Sequence, residues 1–156
     1  MSEAELHILK ARMLEGRRAK AARGDLVVGL PRGYIRRPSG EVALDPDEQV
    51  RSTIRLVFDL FERRQSARGV LQYLADHDIQ LPDRVRSGPN KGEVRWNRPS
   101  HATVGDMLRH PAYAGAYVYG RRRMERRSQL PSKPHSGRRF IRAPEQWAKL
   151  AKVPPA

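Results

Sequence analysis

The side chains best suited to chemistry in this sequence are its arginines and lysines, which number 31 against 17 aspartates and glutamates. They are densest in two runs, GRRAKAARG at 16–24 and RRRMERR at 121–127. A guanidinium group is a planar fork of donors that matches the oxygens of a phosphate. These residue types therefore predict a polyanionic partner, either a nucleic acid or an acidic membrane surface. The alternative is a solvated basic surface without a partner.

The distribution of the net charge of +14 along the chain favours a partner. Residues 1–42 contain nine basic and five acidic side chains, and residues 116–142 contain nine basic and one acidic. Residues 43–64, in contrast, contain four basic and five acidic. A uniformly charged surface that only confers solubility would not give this pattern. Basic segments on both sides of a near-neutral body are what a phosphate-contacting protein needs.

Several other kinds of site are disfavoured by composition. The sequence has no cysteine, which excludes disulfides, zinc ribbons and cysteine nucleophiles within it. Its five histidines are scattered and have no carboxylate or second histidine at ligand spacing, so we expect no metal site and no cofactor. No apolar run is long enough to span a bilayer and the N-terminus has no signal-peptide core. We therefore expect a soluble intracellular protein.

The elements that would carry the basic side chains can be read from capping and periodicity. Residues 2–22 predict a helix, because Ser2 and Glu5 form a capping-box pattern before an apolar stripe. This helix is apolar in its first half and cationic in its second. The first half is expected to need a partner surface, whereas the second offers charge to a phosphate backbone.

The middle of the chain predicts a hairpin, three helices and a β-ribbon. The hairpin pairs 42–44 with 34–35. The helices are 46–64 with Asp45 as N-cap, about 67–77 with Ser66 as N-cap, and 100–109. Pro82 is expected to end the second helical segment, and 83–95 to form a loop ending in a strand near 94–96. Further strands are expected at 26–28, 112–119 and 138–142, and a short amphipathic segment after 144.

This order of elements is typical of a winged helix-turn-helix, with helix 100–109 long enough to lie in a major groove. The predicted fold class is α+β, mainly helical, with a long N-terminal helix and a small β-ribbon. Exposed donors at the start of helix 100–109 could contact phosphates or base edges, and the alternative for each is a solvated first turn. The donors are Arg98, Ser100, His101 and Thr103.

The chain also resembles the recombinase-domain region of large serine recombinases. The motifs that carry the resemblance occur in order along nearly the whole sequence. They are Gly29-Leu-Pro-Arg-Gly-Tyr34, Leu44-Asp-Pro-Asp-Glu48, Trp96, Val104, Leu108, His110-Pro-Ala-Tyr113, Gly115 and Pro144-Glu145-Gln-Trp147. Ser2 to Gly24 is similar to the end of the long helix of the family's catalytic domain and its linker. The resemblance implies three segments: helix end and linker at 1–24, DNA-binding domain at 25–123, and a basic wing or linker at 124–156.

The resemblance implies binding of a double-stranded DNA attachment site by a protein that acts as a homodimer or tetramer, with no membrane partner. Cytoplasmic, nucleoid-associated localisation in a prokaryote or phage follows. Linker residues would cross the minor groove, residues near the domain entrance would meet the backbone, and wing residues would contact phosphates. These residues are Arg17, Arg18, Lys20 and Arg23 in the linker, Arg32, Arg36 and Arg37 at the entrance, and Arg121, Arg122 and Arg123 in the wing.

Three departures from the family indicate a non-catalytic segment. The family's catalytic serine and its arginines lie in an N-terminal domain, and no serine here has a comparable setting. The zinc ribbon of many relatives needs cysteines, and the family's coiled-coil insertion is not recognisable. We therefore expect an excised middle region that is not itself an enzyme, and the alternative is a naturally short relative of the family. The rival interpretations are a nonspecific RNA- or DNA-binding basic protein and a small complete enzyme acting on nucleic acid.

Overall fold

The computed structural model describes residues 2–23, 29–125, 138–146, 148–152 and 154–155. Within them the chain is α+β, as predicted. The helices are α1 (Glu3–Ala22), α2 (Glu48–Arg64), α3 (Ala67–Asp76) and α4 (His101–Leu108). The strands are β1 (Tyr34–Arg36), β2 (Val42–Leu44), β3 (Leu81–Arg84), β4 (Val94–Asn97), β5 (Ala116–Tyr119), β6 (Arg122–Glu125), β7 (Arg138–Ile141) and β8 (Ala148–Lys152).

The described strands form two-stranded antiparallel sheets that pair β1 with β2, β3 with β4, β5 with β8 and β6 with β7. Contacts divide the chain into two compact units. The middle unit consists of Val28–Gly115 and Val153–Ala156, and the flanking unit of Met1–Val27 and Ala116–Lys152. The domain limits predicted at residues 24 and 123 stay predictions.

The core of the middle unit is built from α2, α3 and α4. Helix α2 buries Val50, Ile54, Val57 and Leu60, whose spacing of three and four residues places them on one face. They pack in a core that also contains Val70, Leu74, Leu81, Val104 and Met107. Full burial of one such side chain contributes roughly 1.5–3 kcal/mol, so these contacts hold the three helices together.

An aromatic cluster completes this unit. A 3₁₀ turn at Pro111–Ala114 buries Tyr113, whose ring lies 5.0 Å from that of Phe58 and 5.7 Å from that of Tyr34. The Tyr113 hydroxyl donates to the carbonyl of Arg32 at 2.8 Å. The Tyr34 hydroxyl lies 2.9 Å from the carbonyl oxygen of Ala112 and 2.8 Å from that of Pro154. Burial raises the pKa of Tyr34 to about 12, so it remains a donor at neutral pH.

The predicted hairpin is confirmed. Tyr34 pairs with Leu44 and Arg36 with Val42, and the amide of Gly40 donates to the carbonyl of Arg37 across the turn. Gly40 has a φ of +88°, a conformation that glycine adopts without steric strain.

The predicted N-cap of α2 is wrong. The helix begins two residues later than expected, with Asp47 as the cap that accepts from the amide of Gln49 at 2.9 Å. Asp45 is instead 1% exposed and binds Arg84 of β3. An aspartate before a helix can cap it or pair with a side chain from another element. Here the ion pair with Arg84 holds Asp45, and Asp47 caps the helix. The predicted cap Ser66 is correct, and Ser100, where the next helix was predicted to start, is the N-cap of α4.

Two further boundaries predicted from the sequence are also wrong. Pro82 does not end the preceding segment but lies within β3, opposite Trp96 of β4, so the predicted loop at 83–95 starts inside a strand. The predicted strand at 112–119 begins only at Ala116, because Pro111 starts a 3₁₀ turn. After residue 144 the chain forms a 3₁₀ turn, Pro144–Gln146, and then β8. The predicted strand at 26–28 lies outside the described residues.

The flanking unit contains α1 and the last four strands. Helix α1 has the predicted capping box, in which Ser2 accepts from the amide of Glu5 and Glu5 accepts from the amide of Ser2. The large apolar side chains of its first half are between 41% and 54% exposed. Sheet β5–β8 pairs Ala116 with Lys152, and β6–β7 pairs Arg122 with Ile141. No helix in the described part of the chain is long and apolar enough to cross a membrane.

Candidate nucleic-acid interface

The start of α4 and the strand before it form an exposed polar edge, which we call the β4–α4 edge and define as Arg95, Asn97, Arg98, Ser100 and His101. All five are exposed. Side chains alternate along β4, so that Arg95 and Asn97 are exposed whereas Val94 and Trp96 are partly buried. Neither Arg95 nor Arg98 has an ion-pair partner within the described residues. The edge therefore offers guanidinium, amide and imidazole groups to solvent.

The first turn of α4 is organised by its cap. Ser100 Oγ accepts from the amide of Thr103 at 3.1 Å and lies 2.8 Å from Thr103 Oγ1. The first turn has no acidic side chain, so the positive end of the helix dipole is not neutralised locally. The structure thus gives Ser100 and Thr103 a capping role and leaves Arg98 and His101 exposed beside them. A helix start of this kind can attract an anion electrostatically.

The three arginines predicted at the domain entrance all have partners inside the chain. Arg32 is 24% exposed and its Nη2 donates to Asp83 at 3.3 Å. Arg36 donates to the carbonyl of Gly40 at 2.8 Å, and Arg37 pairs with Glu41 at 3.3 Å. The pair of Arg37 and Glu41 is exposed, and such pairs contribute about 0–1 kcal/mol, so a phosphate could replace Glu41. Arg32 and Arg36 are partly buried, whereas Arg37 is exposed.

The remaining predicted residues lie in the flanking unit. Arg17, Arg18 and Lys20 are exposed on the last turns of α1, and Arg23 is its C-cap. The carbonyl of Arg121 accepts from the amide of Arg142 at 2.9 Å. Arg122 and Arg123 lie in β6, opposite Ile141 and Phe140. The structure therefore places the predicted DNA-binding residues in both units, and it brings Arg98, Ser100, His101 and Thr103 together at one helix start.

Sequence reasoning missed Arg95 and Asn97. The signal that could have found them is the alternation in Val94–Asn97, where two polar residues share the face opposite Val94 and Trp96. A strand was predicted near 94–96, and the exposed face of β4 holds both donors.

Sequence reasoning also missed the pair of Asp45 and Arg84. Arg84 Nε lies 2.5 Å from Asp45 Oδ2, and Arg84 Nη2 lies 2.6 Å from Asp45 Oδ1. Burial alone would raise the pKa of Asp45, but the hydrogen bonds from Arg84 and from the amide of Asp47, with the charge of Arg84, hold it below its usual value. No local pattern could have revealed this contact, because 39 residues separate the partners.

The described residues contain no group of three or more histidine, aspartate or glutamate side chains that could hold a metal ion. Three of the serine hydroxyls cap helices, namely Ser2, Ser66 and Ser100. Ser52 donates to the carbonyl of Gln49 at 3.1 Å within α2. The described geometry is suited to binding an anion by charge and hydrogen bonds.

Comparisons with known proteins extend this description. A family described as Recombinase matches residues 48–152, which include the β4–α4 edge. The chain is also similar to the uncharacterized protein y4bA/y4pH of Sinorhizobium fredii, with 46% identity over 130 residues. The match covers 83% of this chain but 19% of the relative, so the chain spans about a fifth of that protein's length. No solved structure matches the chain.

Proposed function

Because this chain belongs to the Recombinase family, we propose that it binds double-stranded DNA in a sequence-specific manner at a recombination attachment site, as part of a site-specific serine recombinase. The observation that carries the proposal is the β4–α4 edge. Its exposed arginines, amide and imidazole lie along β4 and at the start of α4, and the first turn of α4 has no acidic side chain. Such a surface suits a target that combines phosphates with base-edge acceptors.

In the proposed complex, α4 lies in the major groove as the recognition helix of a winged helix-turn-helix-like domain. The major groove presents a distinct donor and acceptor pattern for each base pair, and a helix fits its width. Arg98 and His101 would read base edges or adjacent phosphates, and Arg95 and Asn97 would contact the backbone beside them. Ser100 and Thr103 would act mainly by holding the first turn of α4.

The flanking unit would add contacts that do not depend on sequence. The cationic turns of α1, with Arg17, Arg18, Lys20 and Arg23, would cross the minor groove, and Arg121 to Arg123 would contact phosphates. Arg36 and Arg37 would contribute from the β1–β2 hairpin. Contacts of this kind provide affinity and fix the register of the protein on the duplex.

We further propose that this segment binds DNA without cutting it, and that the homodimer or tetramer that joins two sites forms through the parent recombinase. The capping roles of Ser2, Ser66 and Ser100 and the hydrogen bond of Ser52 within α2 support the first point. A strand-cleavage assay with this chain alone tests it, since breakage abolished by a single serine substitution would contradict a binding role.

The test of specific binding begins with selection of duplexes from a random pool by the wild-type chain. The selected duplex is then compared with a scrambled duplex of the same composition by fluorescence anisotropy at fixed salt. We expect a preference of about 10³-fold or more for the selected duplex. Arg98→Ala should weaken binding to it by about 1–3 kcal/mol and relax the preference at one base position.

Arg63→Ala is the matched control, since Arg63 is an exposed arginine in the last turn of α2. It should have a smaller effect that is equal for all sequences. Equal affinity for selected duplex, scrambled duplex and RNA would contradict the proposal and favour the rival interpretation, a nonspecific basic protein.

A further inference from the structure

The two β-hairpins of the middle unit are joined by an ion pair whose carboxylate is buried and whose guanidinium is partly exposed. Asp45 follows β2 directly and is 1% exposed, and Arg84 is the last residue of β3. The guanidinium binds both carboxylate oxygens, with nitrogen–oxygen distances of 2.5 and 2.6 Å. We call this contact the inter-hairpin pair. A two-point contact between a planar guanidinium and a carboxylate fixes orientation as well as distance.

Backbone groups on both sides anchor the inter-hairpin pair. Asp45 Oδ1 also accepts from the amide of Asp47 at 3.0 Å, and the amide of Asp45 donates to the carbonyl of Gly33 at 2.9 Å. Arg84 Nη1 donates to the carbonyl of Gly92, across the β3–β4 hairpin. The pair therefore links the base of one hairpin to the loop end of the other.

Two neighbours of Arg84 also contact the segment that precedes the β1–β2 hairpin. Asp83 binds Arg32 at 3.3 Å, and Arg86 Nη2 donates to the carbonyl of Leu30 at 3.1 Å. Arg86 passes so close to Gly29 that a Cβ there would lie 2.9 Å from its Nη1. Three of the four residues from 83 to 86 thus hold the second hairpin against the segment that contains the first.

Each hairpin leads to a different part of the proposed DNA-binding surface. The β1–β2 hairpin holds Arg36 at the end of β1 and Arg37 at the start of its turn. In the second, Arg84 pairs with Val94 in register, so β3 holds the strand that leads to Arg98 and α4. We propose that Asp45 and Arg84 are positioning residues for DNA binding, which fix the β1–β2 hairpin relative to the β4–α4 edge so that both contact one duplex at once. This inference rests on the proposed function.

The physical basis is simultaneous engagement of two contact sites. When two sites are held at a fixed spacing, binding of the first places the second near its target at a high effective concentration. If the inter-hairpin pair is loosened, the same cations remain on the protein but fewer neutralise phosphates in one complex. The slope of log K against log salt reports that number, at about 0.9 for each phosphate neutralised.

The main test is Arg84→Lys, because it preserves the net charge but cannot bind both carboxylate oxygens and Gly92 through one rigid fork. Binding of the wild-type and variant chains to a fluorescein-labelled random-sequence duplex of about 30 base pairs is measured over a range of salt concentrations. We expect the slope to fall by about one to two units and affinity at physiological salt to fall about tenfold. The folded fraction of each chain is measured by circular dichroism at every salt concentration, so that partial unfolding is distinguished from a change in the slope.

A second variant, Asp45→Asn, separates positioning from charge. It raises the net charge by one unit, so charge alone predicts tighter binding to DNA, whereas loss of positioning predicts weaker binding and a lower slope. Asp59→Asn, at an exposed position of α2, is the control with the same change in charge. It should bind slightly more tightly than the wild type.

The outcomes are distinct. Lower slopes in Arg84→Lys and Asp45→Asn support the inference. Wild-type slopes in both variants overturn it and leave the proposed function intact, since the wild-type chain still binds. If the wild-type chain shows no salt-dependent binding to the duplex, the proposed function fails and this inference fails with it.

Discussion

Asp45 is ionised within a site where only 1% of its surface meets water. Removal of a carboxylate from water is unfavourable unless donors replace the lost hydration. Here Arg84 and the amide of Asp47 provide these donors, which is why the pKa of Asp45 lies below its ordinary value of 3.8 despite its burial. The ionised form is therefore bound more strongly in the folded chain than in the unfolded chain.

A pH dependence of stability follows from this difference. A group whose pKa is lowered by folding stabilises the protein above its unfolded pKa, and this contribution is lost as pH falls through the folded pKa. Asp45→Asn should therefore reduce the free energy of unfolding by about 2–3 kcal/mol near neutral pH. The difference from the wild type should shrink below pH 3.8. Urea unfolding at neutral pH, just above pH 4 and near pH 3 measures this, and a constant difference would contradict the assignment.

At the scale of elements, the start of α4 combines a structural role with a proposed binding role. Ser100 caps the helix through the amide of Thr103, and the same turn belongs to the β4–α4 edge. Aspartate caps helices about as well as serine does, and its charge also suits the helix dipole. One substitution can therefore separate folding from binding.

Ser100→Asp should retain the stability of the wild type within about 0.5 kcal/mol but weaken DNA binding by at least tenfold. The reason is that a carboxylate at this position repels phosphates without opening the helix. Ser66→Asp is the matched control, because Ser66 caps α3 in the same way, accepting from the amide of Gly69 at 3.0 Å. Thermal unfolding and anisotropy measure both effects. Equal binding losses in the two variants would remove the start of α4 from the interface.

The cationic half of α1 gives a second prediction for a single element. Arg17 and Arg18 are exposed, so their replacement should leave folding unchanged. Arg17→Ala combined with Arg18→Ala should weaken binding to duplex DNA and lower the salt slope by about one to two units. Lys10→Ala with Arg12→Ala, on the first half of the same helix, is the control. An unchanged slope would exclude Arg17 and Arg18 from the interface.

Local signals in the sequence predicted these elements well. The caps Ser2, Ser66 and Ser100 and the apolar spacing of α2 act within a few residues, so they are visible in the sequence. The contacts that join different elements cannot be recognised in the sequence in this way. The choice between Asp45 and Asp47 as a cap, and the engagement of Arg32 by Asp83, depend on partners 39 and 51 residues away. Pro82 looked like a terminator, although a proline can lie in a strand whose edge needs no amide donor there.

At the scale of the whole molecule, electrostatics should dominate affinity for any duplex. The net charge of +14 arises mainly from residues outside the near-neutral middle. If about six phosphates are neutralised, affinity should fall by about 10³ between 50 and 200 mM salt. Anisotropy titrations with the scrambled duplex measure this. A drop of less than about tenfold would contradict phosphate contact by both basic segments.

The division into two units predicts that they contribute differently to the specificity and the affinity of DNA binding. The middle unit holds the β4–α4 edge and the inter-hairpin pair, whereas α1 and the strands β5 to β8 belong to the flanking unit. Substitutions in the flanking unit should therefore change binding to all sequences alike. Substitutions at Arg98 should change the ratio between the selected and scrambled duplexes.

The two acceptors of the Tyr34 hydroxyl leave the ribosome at different times. Tyr34 and Ala112 belong to one continuous stretch of the middle unit, and their contact can form as soon as that stretch has emerged. Pro154 emerges later, since synthesis proceeds at about 5–20 residues per second, which leaves a delay of a few seconds. The contact of Tyr34 with Ala112 can thus form during translation before Pro154 is available, and a pause in synthesis between the two acceptors would separate the two contacts in time.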